Sequence, residues 1–191
     1  LHQSVADSSG TNLFTPTEDG AMTDTASGWI AGLLHHAPAM SLFAVPTITG
    51  YKRYRAHSLA PERISWSHDG RGALVRALCR HGDAASRVEN RGGEPAANPY
   101  LYLASQMFAG LDGITAGREG PPAAADAYDD ALPRLPSSLD EALALARDDA
   151  FVRDRFGATF MDCYVAIKKA ELASFATHVG DWEHRAYFAA F

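Results

Sequence analysis

The apolar positions of the chain fall into a few stretches of recognisable period. Over 23–42, Ile30, Leu33, Leu34 and Met40 recur at helical spacing. Asp24 and Thr25 are placed to start that helix and Pro38 to kink or turn it near its end, and its apolar face is expected to pack across a sheet. Residues 63–67 and 73–78 read as short strands around a turn at Asp69-Gly70, and 87–91 as a third. Three neighbouring strands thus carry most of the arginines.

Asn98 is placed to cap a helix that has Pro99 at its first position and runs through Leu101, Leu103, Met107, Phe108 and Leu111 towards Gly113. Residues 117–136, rich in Gly, Pro, Ala and Asp, read as a mobile surface excursion. Ser138 with Glu141 three residues on forms a capping box for a helix through Leu139, Leu143 and Ala146. A longer helix follows over 158–178, where Phe160, Tyr164, Ile167, Glu171 and Phe175 repeat near 3.6 and are expected to face the core. Asp181 would cap a last short helix bearing Trp182, Tyr187 and Phe188, so the last fifty residues read as scaffold.

At 191 residues, 47% hydrophobic and 21% charged, the chain can bury one real core, which argues against disorder. Cys79 and Cys163 lack metal-type spacing and read as reduced thiols of a cytoplasmic protein. The chain opens on Leu1 rather than Met and reads as a fragment, with no secretory signal in its first ten residues. The longest apolar tract, 29–45, is broken by His35, His36, Pro38 and Ser41, so no membrane span is expected.

Charge changes the picture more. Within a chain of net charge -6, residues 52–91 hold nine Lys or Arg against four Asp or Glu. A basic block in an acidic chain points to a small anionic ligand, phosphate or carboxylate, and away from nucleic acid. Inside that block Arg87, Glu89 and Arg91 stand at spacing two. On a strand they share one face, about 6 to 7 Å apart, a row of plus, minus, plus. A surface salt ladder has the same pattern and contributes about 0 to 1 kcal/mol. The opposite face, Ser86, Val88, Asn90 and Gly92, reads as a poor core face, so packing does not account for the segment.

Arginine stays charged and grips carboxylate or phosphate at two points, so Arg53, Arg71, Arg76, Arg87 and Arg91 are the candidate anion binders. Arg71 and Arg76 are five apart and would face opposite ways on one strand, which places Arg71 on the Gly70–Gly72 turn. Glu89 suits an oxygen ligand, but Mg2+ takes six ligands, so one Glu is not a metal site. His2, with Gln3 and Ser4, offers hydrogen-bonding groups near the start, and His35-His36 reads as structural.

Seven runs carry a resemblance: LHQSVAD with TNLF, GLLHHAPAM, PTITGYKR, WSHDGRGALVR, RVENR, EPAANPYLYLASQMFAGLDGI and SLDEAL. In that order, across 1–191, the chain resembles the C-terminal part of the catalytic domain of the glutamine synthetase superfamily. The resemblance implies an α+β fold, with antiparallel strands of a catalytic barrel flanked by helices and a helical C-terminus. It also implies a ligase that phosphorylates the side-chain carboxylate of glutamate with ATP and then lets ammonia or an organic amine displace phosphate. Arg53 and Arg91 would bind glutamate; Arg71, Arg76 and Arg87, with His2 and Ser4, would bind the nucleotide, and Arg71 would also stabilise the transferring group. Glu89 would coordinate Mg2+ or Mn2+.

The resemblance further implies a homo-oligomeric ring of the dodecamer type. The family's other metal ligands and its small N-terminal sheet domain would lie upstream of Leu1, so the fragment alone is expected to be inactive. The alternative it leaves is a non-catalytic paralogue that keeps nucleotide affinity or assembly. The Glu that ammonia-using members carry on the loop after the YKR run is Leu59 here, which favours an amine with an alkyl or aryl group.

Overall fold

The computed structural model describes residues 1–19, 21–55, 58 and 60–190. Four short strands form an open sheet in the order β1-β4-β3-β2: β1 (His2–Gln3), β2 (Trp66–His68), β3 (Val75–Leu78) and β4 (Arg87–Asn90). β4 runs antiparallel to both β1 and β3, but β3 and β2 pair in parallel, with Trp66 opposite Val75. The strands read on either side of Asp69-Gly70 thus form, but as a parallel pair rather than as the antiparallel strands the resemblance implies. The link over 69–74 carries the chain back beside its own start, and Asp69 takes φ 55° to make the first bend. Asp tolerates that left-handed conformation better than most residues.

The helix α1 (Asp24–Ala44) is capped by Thr23, whose hydroxyl accepts from the Ala26 amide. It runs through Pro38 and on to Ala44, two residues past the predicted end. Trp29, Ile30, Leu33, Leu34 and Ala37 pack with Leu74, Val75, Ala77 and Val88 of the sheet in one core. The far end of the helix, through Met40, Leu42 and Phe43, joins a second core with α3 (Leu139–Arg147), Val152 of α4 (Ala150–Phe156) and Met161 of α5 (Ala158–Ala176).

Alongside α1 lies α2 (Pro99–Thr115), started by Asn98 and Pro99 as the sequence predicts. The two helices meet backbone to backbone at Gly28, Gly32 and Gly113. A methyl on Gly32 would overlap the Ala109 carbonyl and lie 2.8 Å from the Gly113 nitrogen. At the end of this contact His36 Nε2 and Asp112 Oδ2 stand 2.8 Å apart, Arg118 Nε donates to the same oxygen at 2.6 Å, and Phe151 stacks on the imidazole. His36 is structural, as expected.

Three further expectations change. Over 117–136 the chain is pinned to the edge of β2: Ala124 donates to the Trp66 carbonyl at 2.8 Å, Trp66 Nε1 to Pro121, Ile64 to Pro133 and Leu135 to Glu62. Buried Arg63 adds an ion pair with Asp130, so the segment is a strap over the sheet edge. Along α5, Phe160 and Tyr164 pack against the second core, but Ile167 and Phe175 are 62% and 52% exposed. The apolar period continues past the body that covers it. The last helix, α6 (Asp181–Tyr187), has Gly180 rather than Asp181 at its N-cap, and the Glu183 carboxylate accepts from the Gly180 amide. Among the described residues no helix is long and apolar enough to cross a membrane.

Gly32→Ala is expected to lower stability by about 1–3 kcal/mol through overpacking of the helix contact. Gly120→Ala, whose added methyl would meet only ordinary contacts near 3.5 Å, should stay within about 0.5 kcal/mol of wild type. Urea unfolding of the two variants checks this.

Candidate functional site

Burial settles which way β4 faces. Ser86 and Val88 are 0% exposed, Asn90 is 6%, and Gly92 is also buried. What reads as a poor core face is a core face whose polar groups are bonded. The Asn90 amide donates to Gln106 Oε1 at 2.7 Å and its oxygen accepts from the Gly92 amide at 2.9 Å, while Ser86 Oγ bonds both backbone groups of Arg80. With period two, Arg87, Glu89 and Arg91 must then stand on the other face.

Register gathers the rest of the row. His2 of β1 lies opposite Glu89, and Arg76 of β3 lies opposite it on the other side. Glu89 Oε1 stands 2.9 Å from Arg91 Nη1 and 3.9 Å from His2 Nε2, and Oε2 stands 3.4 Å from Arg76 Nη1. Arg87 Nε donates to His2 Nδ1 at 3.2 Å, which leaves the imidazole Nε2 turned towards the carboxylate. Burial alone would raise the Glu89 pKa, but the charge and hydrogen bonds of Arg91 and Arg76 outweigh it and hold the group below the ordinary glutamate value. Glu89 is thus kept ionised.

Arg76 is shared. Its guanidinium also pairs with the Asp69 carboxylate, and Nε donates to the Asp69 carbonyl at 3.1 Å. Asp69 is held below its usual carboxylate range by that hydrogen bond and charge, with Arg80 adding a second cation. The sequence flags Asp69 only as a turn residue, so its place on Arg76 was not legible.

Arg53 comes in from the short 3-10 helix Gly50–Arg53, with Nη2 donating to the Gly92 carbonyl at 2.9 Å. Arg53, Glu89 and Arg91 together line an open cleft of about 490 Å³, with Ser58, Ala60 and Gly93 along its wall. Arg71 stands exposed on the Gly70–Gly72 turn, as predicted, outside the ion-pair cluster. Ser4 is exposed two residues beyond His2 and makes no side-chain hydrogen bond among the described residues. The structure thus brings His2, Arg53, Arg76, Arg87, Glu89 and Arg91 together and leaves Arg71 and Ser4 at the periphery. Leu59 lies outside the described residues.

The family model for the glutamine synthetase catalytic domain matches residues 1–187. The chain belongs to the glutamine synthetase family. It is 40% identical over 98% of its length to a gamma-glutamylanilide synthase of Acinetobacter sp, of which it spans 40%. It is 36% identical, again over 98%, to a gamma-glutamylethanolamide synthetase of Streptomyces coelicolor, spanning 40% of that protein. The solved structure of GmaS in complex with ADP superposes with a TM-score of 0.86 at 27% identity, covering 98% of this chain and 45% of that one. The chain therefore spans about two fifths of the curated relatives it matches. The α+β fold with its helical C-terminus is that of this family.

Glutamine synthetases generally use ATP and divalent metal. Among the described residues no group of three His, Cys, Asp or Glu converges, whereas Mg2+ takes six ligands. Among the described residues Glu89 is the one carboxylate lining the cleft, and both its oxygens face arginines. These residues do not by themselves complete a metal site.

Glu89→Gln is expected to cost about 1–2 kcal/mol of stability at neutral pH, where a charge between two arginines is lost. Because the native pKa is lowered, that contribution is full above the ordinary glutamate value of 4.5 and is lost as pH falls through the native one. The gap between variant and wild type should therefore narrow in urea melts as pH is taken below the ordinary glutamate value.

Proposed function

We propose that residues 1–191 form the C-terminal portion of the active site of an ATP-dependent ligase that joins the side-chain carboxylate of glutamate to an organic amine. The observation that carries this reading is the cleft itself, where Arg53 and Arg91 flank an ionised Glu89 that is also paired to Arg76. A carboxylate resists amide formation until a phosphate leaving group is attached, and that transfer gathers negative charge from three groups at once.

In the proposed sequence a carboxylate oxygen of glutamate attacks the γ-phosphorus of ATP and ADP departs. The amine nitrogen then attacks the acyl carbon, phosphate leaves with its bonding pair, and the nitrogen gives up a proton. Arg53 and Arg91 hold glutamate by its carboxylates, and Arg76 and Arg87 hold phosphate oxygens. Exposed Arg71, on a turn between two glycines, reaches the transferring phosphoryl group, while His2 and Ser4 contact the nucleotide. Glu89 would supply one ligand to a divalent cation, which would neutralise phosphate charge when bound. The ADP in the GmaS structure supports the nucleotide part of this reading.

The amine is assigned from two sides. Two relatives make, by their names, an anilide and an ethanolamide of the gamma-glutamyl group. In the sequence, Leu59 occupies the position at which the resemblance places the ammonium-binding Glu of ammonia-using members. Assembly into a homo-oligomeric ring in the cytoplasm completes the proposal.

Phosphate release by the whole protein carrying this chain, with ATP, Mg2+ and glutamate, tests it. Ethanolamine or an aromatic amine is expected to support turnover well above ammonium, and Arg71→Ala to lower kcat by about 100 to 1000 fold. Turnover with ammonium alone would move the assignment to glutamine formation. Silence with every amine would leave a nucleotide-binding paralogue.

A further inference from the structure

Arg53 is aimed into the cleft by two backbone carbonyls. Its Nη2 donates to Gly92 at 2.9 Å and its Nε to Gly50 at 3.3 Å. The two carbonyls belong to different segments, one on the 3-10 turn and one on the corner after β4, so the guanidinium points correctly only while these segments keep their spacing. One side chain ties them together. Glu94 Oε1 accepts from the Thr47 amide at 3.1 Å and from Thr47 Oγ1 at 2.8 Å, and Thr47 Oγ1 in turn accepts from the Gly50 amide at 3.1 Å.

The fit is tight on every side. A methyl on Gly50 would overlap the Glu94 carboxylate and lie 2.5 Å from Val45. The Glu94 amide donates to the last residue of α1, Ala44, at 3.0 Å, and a methyl on Gly93 would fall 2.5 Å from the Tyr102 ring. Tyr54 OH donates to the same Gly92 carbonyl that Arg53 uses, at 2.9 Å. Glu94 itself does not line the cleft.

We propose that Glu94 is a positioning residue for substrate: through Thr47 and Gly50 it fixes the distance between the two carbonyls that aim Arg53, and so sets the affinity for the carboxylate of glutamate. This rests on the reading of Arg53 as a glutamate ligand. Arg71 stands on the link between β2 and β3 and Arg76 on β3 itself, and Glu94 hydrogen-bonds Thr47 and Ala44 instead, so the nucleotide side is insulated from it.

The test is steady-state kinetics of the whole protein with its preferred amine. Glu94→Ala is expected to raise the KM for glutamate by about 10 to 100 fold while the KM for ATP stays within about twofold. Glu94→Gln keeps an oxygen that accepts both Thr47 bonds and should restore the glutamate KM. Should Glu94→Ala fail to fold, Thr47→Val, which deletes the hydroxyl bond and keeps the branched shape, is expected to show the same one-sided rise, smaller in size. A merely structural role would move both KM values together or neither, and either result overturns the proposal. Wild-type protein without glutamate turnover would remove the reading of Arg53 and this inference with it. Normal wild-type turnover with an unshifted glutamate KM in the variants would remove the inference alone.

Discussion

Burial of one face of β4 is the constraint from which the site follows. Val88 packs into the core beside α1, and Asn90 is bonded to Gln106 of α2, so the strand cannot slip by one residue without expelling both. Period two then leaves no choice for Arg87, Glu89 and Arg91. The register with β1 and β3 adds His2 and Arg76 to the same face. An ordinary packing problem thus builds a row of charges that would repel one another, had Glu89 not been set among them.

The helices that read as scaffold reach the site by hydrogen bonds. Lys168 of α5 donates to the Pro46 carbonyl at 2.6 Å, immediately before Thr47, and also pairs with Glu171. Its burial at 12% exposure costs desolvation that only well-made bonds offset. The C-terminal half therefore holds the turn carrying Arg53 from one side, as the corner after β4 holds it from the other. The strap over 117–136 treats the β2 edge in the same way, covering backbone groups that an open sheet leaves unpaired.

Much of this was legible from period and caps. Asn98-Pro99, Ser138 with Glu141 and the alternation at 87–91 each carry a local physical signal, and each starts or forms the element it predicts, although the Glu141 carboxylate takes the Ser137 amide rather than the Ser138 amide of a full capping box. What escaped was information held by partners distant in sequence. Asn90 looks like a misfit until Gln106 is beside it; Glu94 looks like part of a motif until Thr47 is. The exposure of Ile167 and Phe175 shows the converse, since an apolar repeat records a face without recording what lies over it. Residue roles in binding drew on resemblance, because single arginines look alike wherever they stand.

The glycine contact between α1 and α2 bears on how such a cleft opens. Side chains that interdigitate can change rotamer and let helices slide, but two backbones in direct touch have nothing to re-sort. α1 and α2 then behave as one stiff plate. The turn bearing Arg53 leaves from the end of α1 and the corner bearing Gly92 runs into the start of α2, so Arg53 and Arg91 ride on a common chassis. Any breathing that admits or releases a ligand falls to segments hinged off that plate, such as the link carrying Arg71.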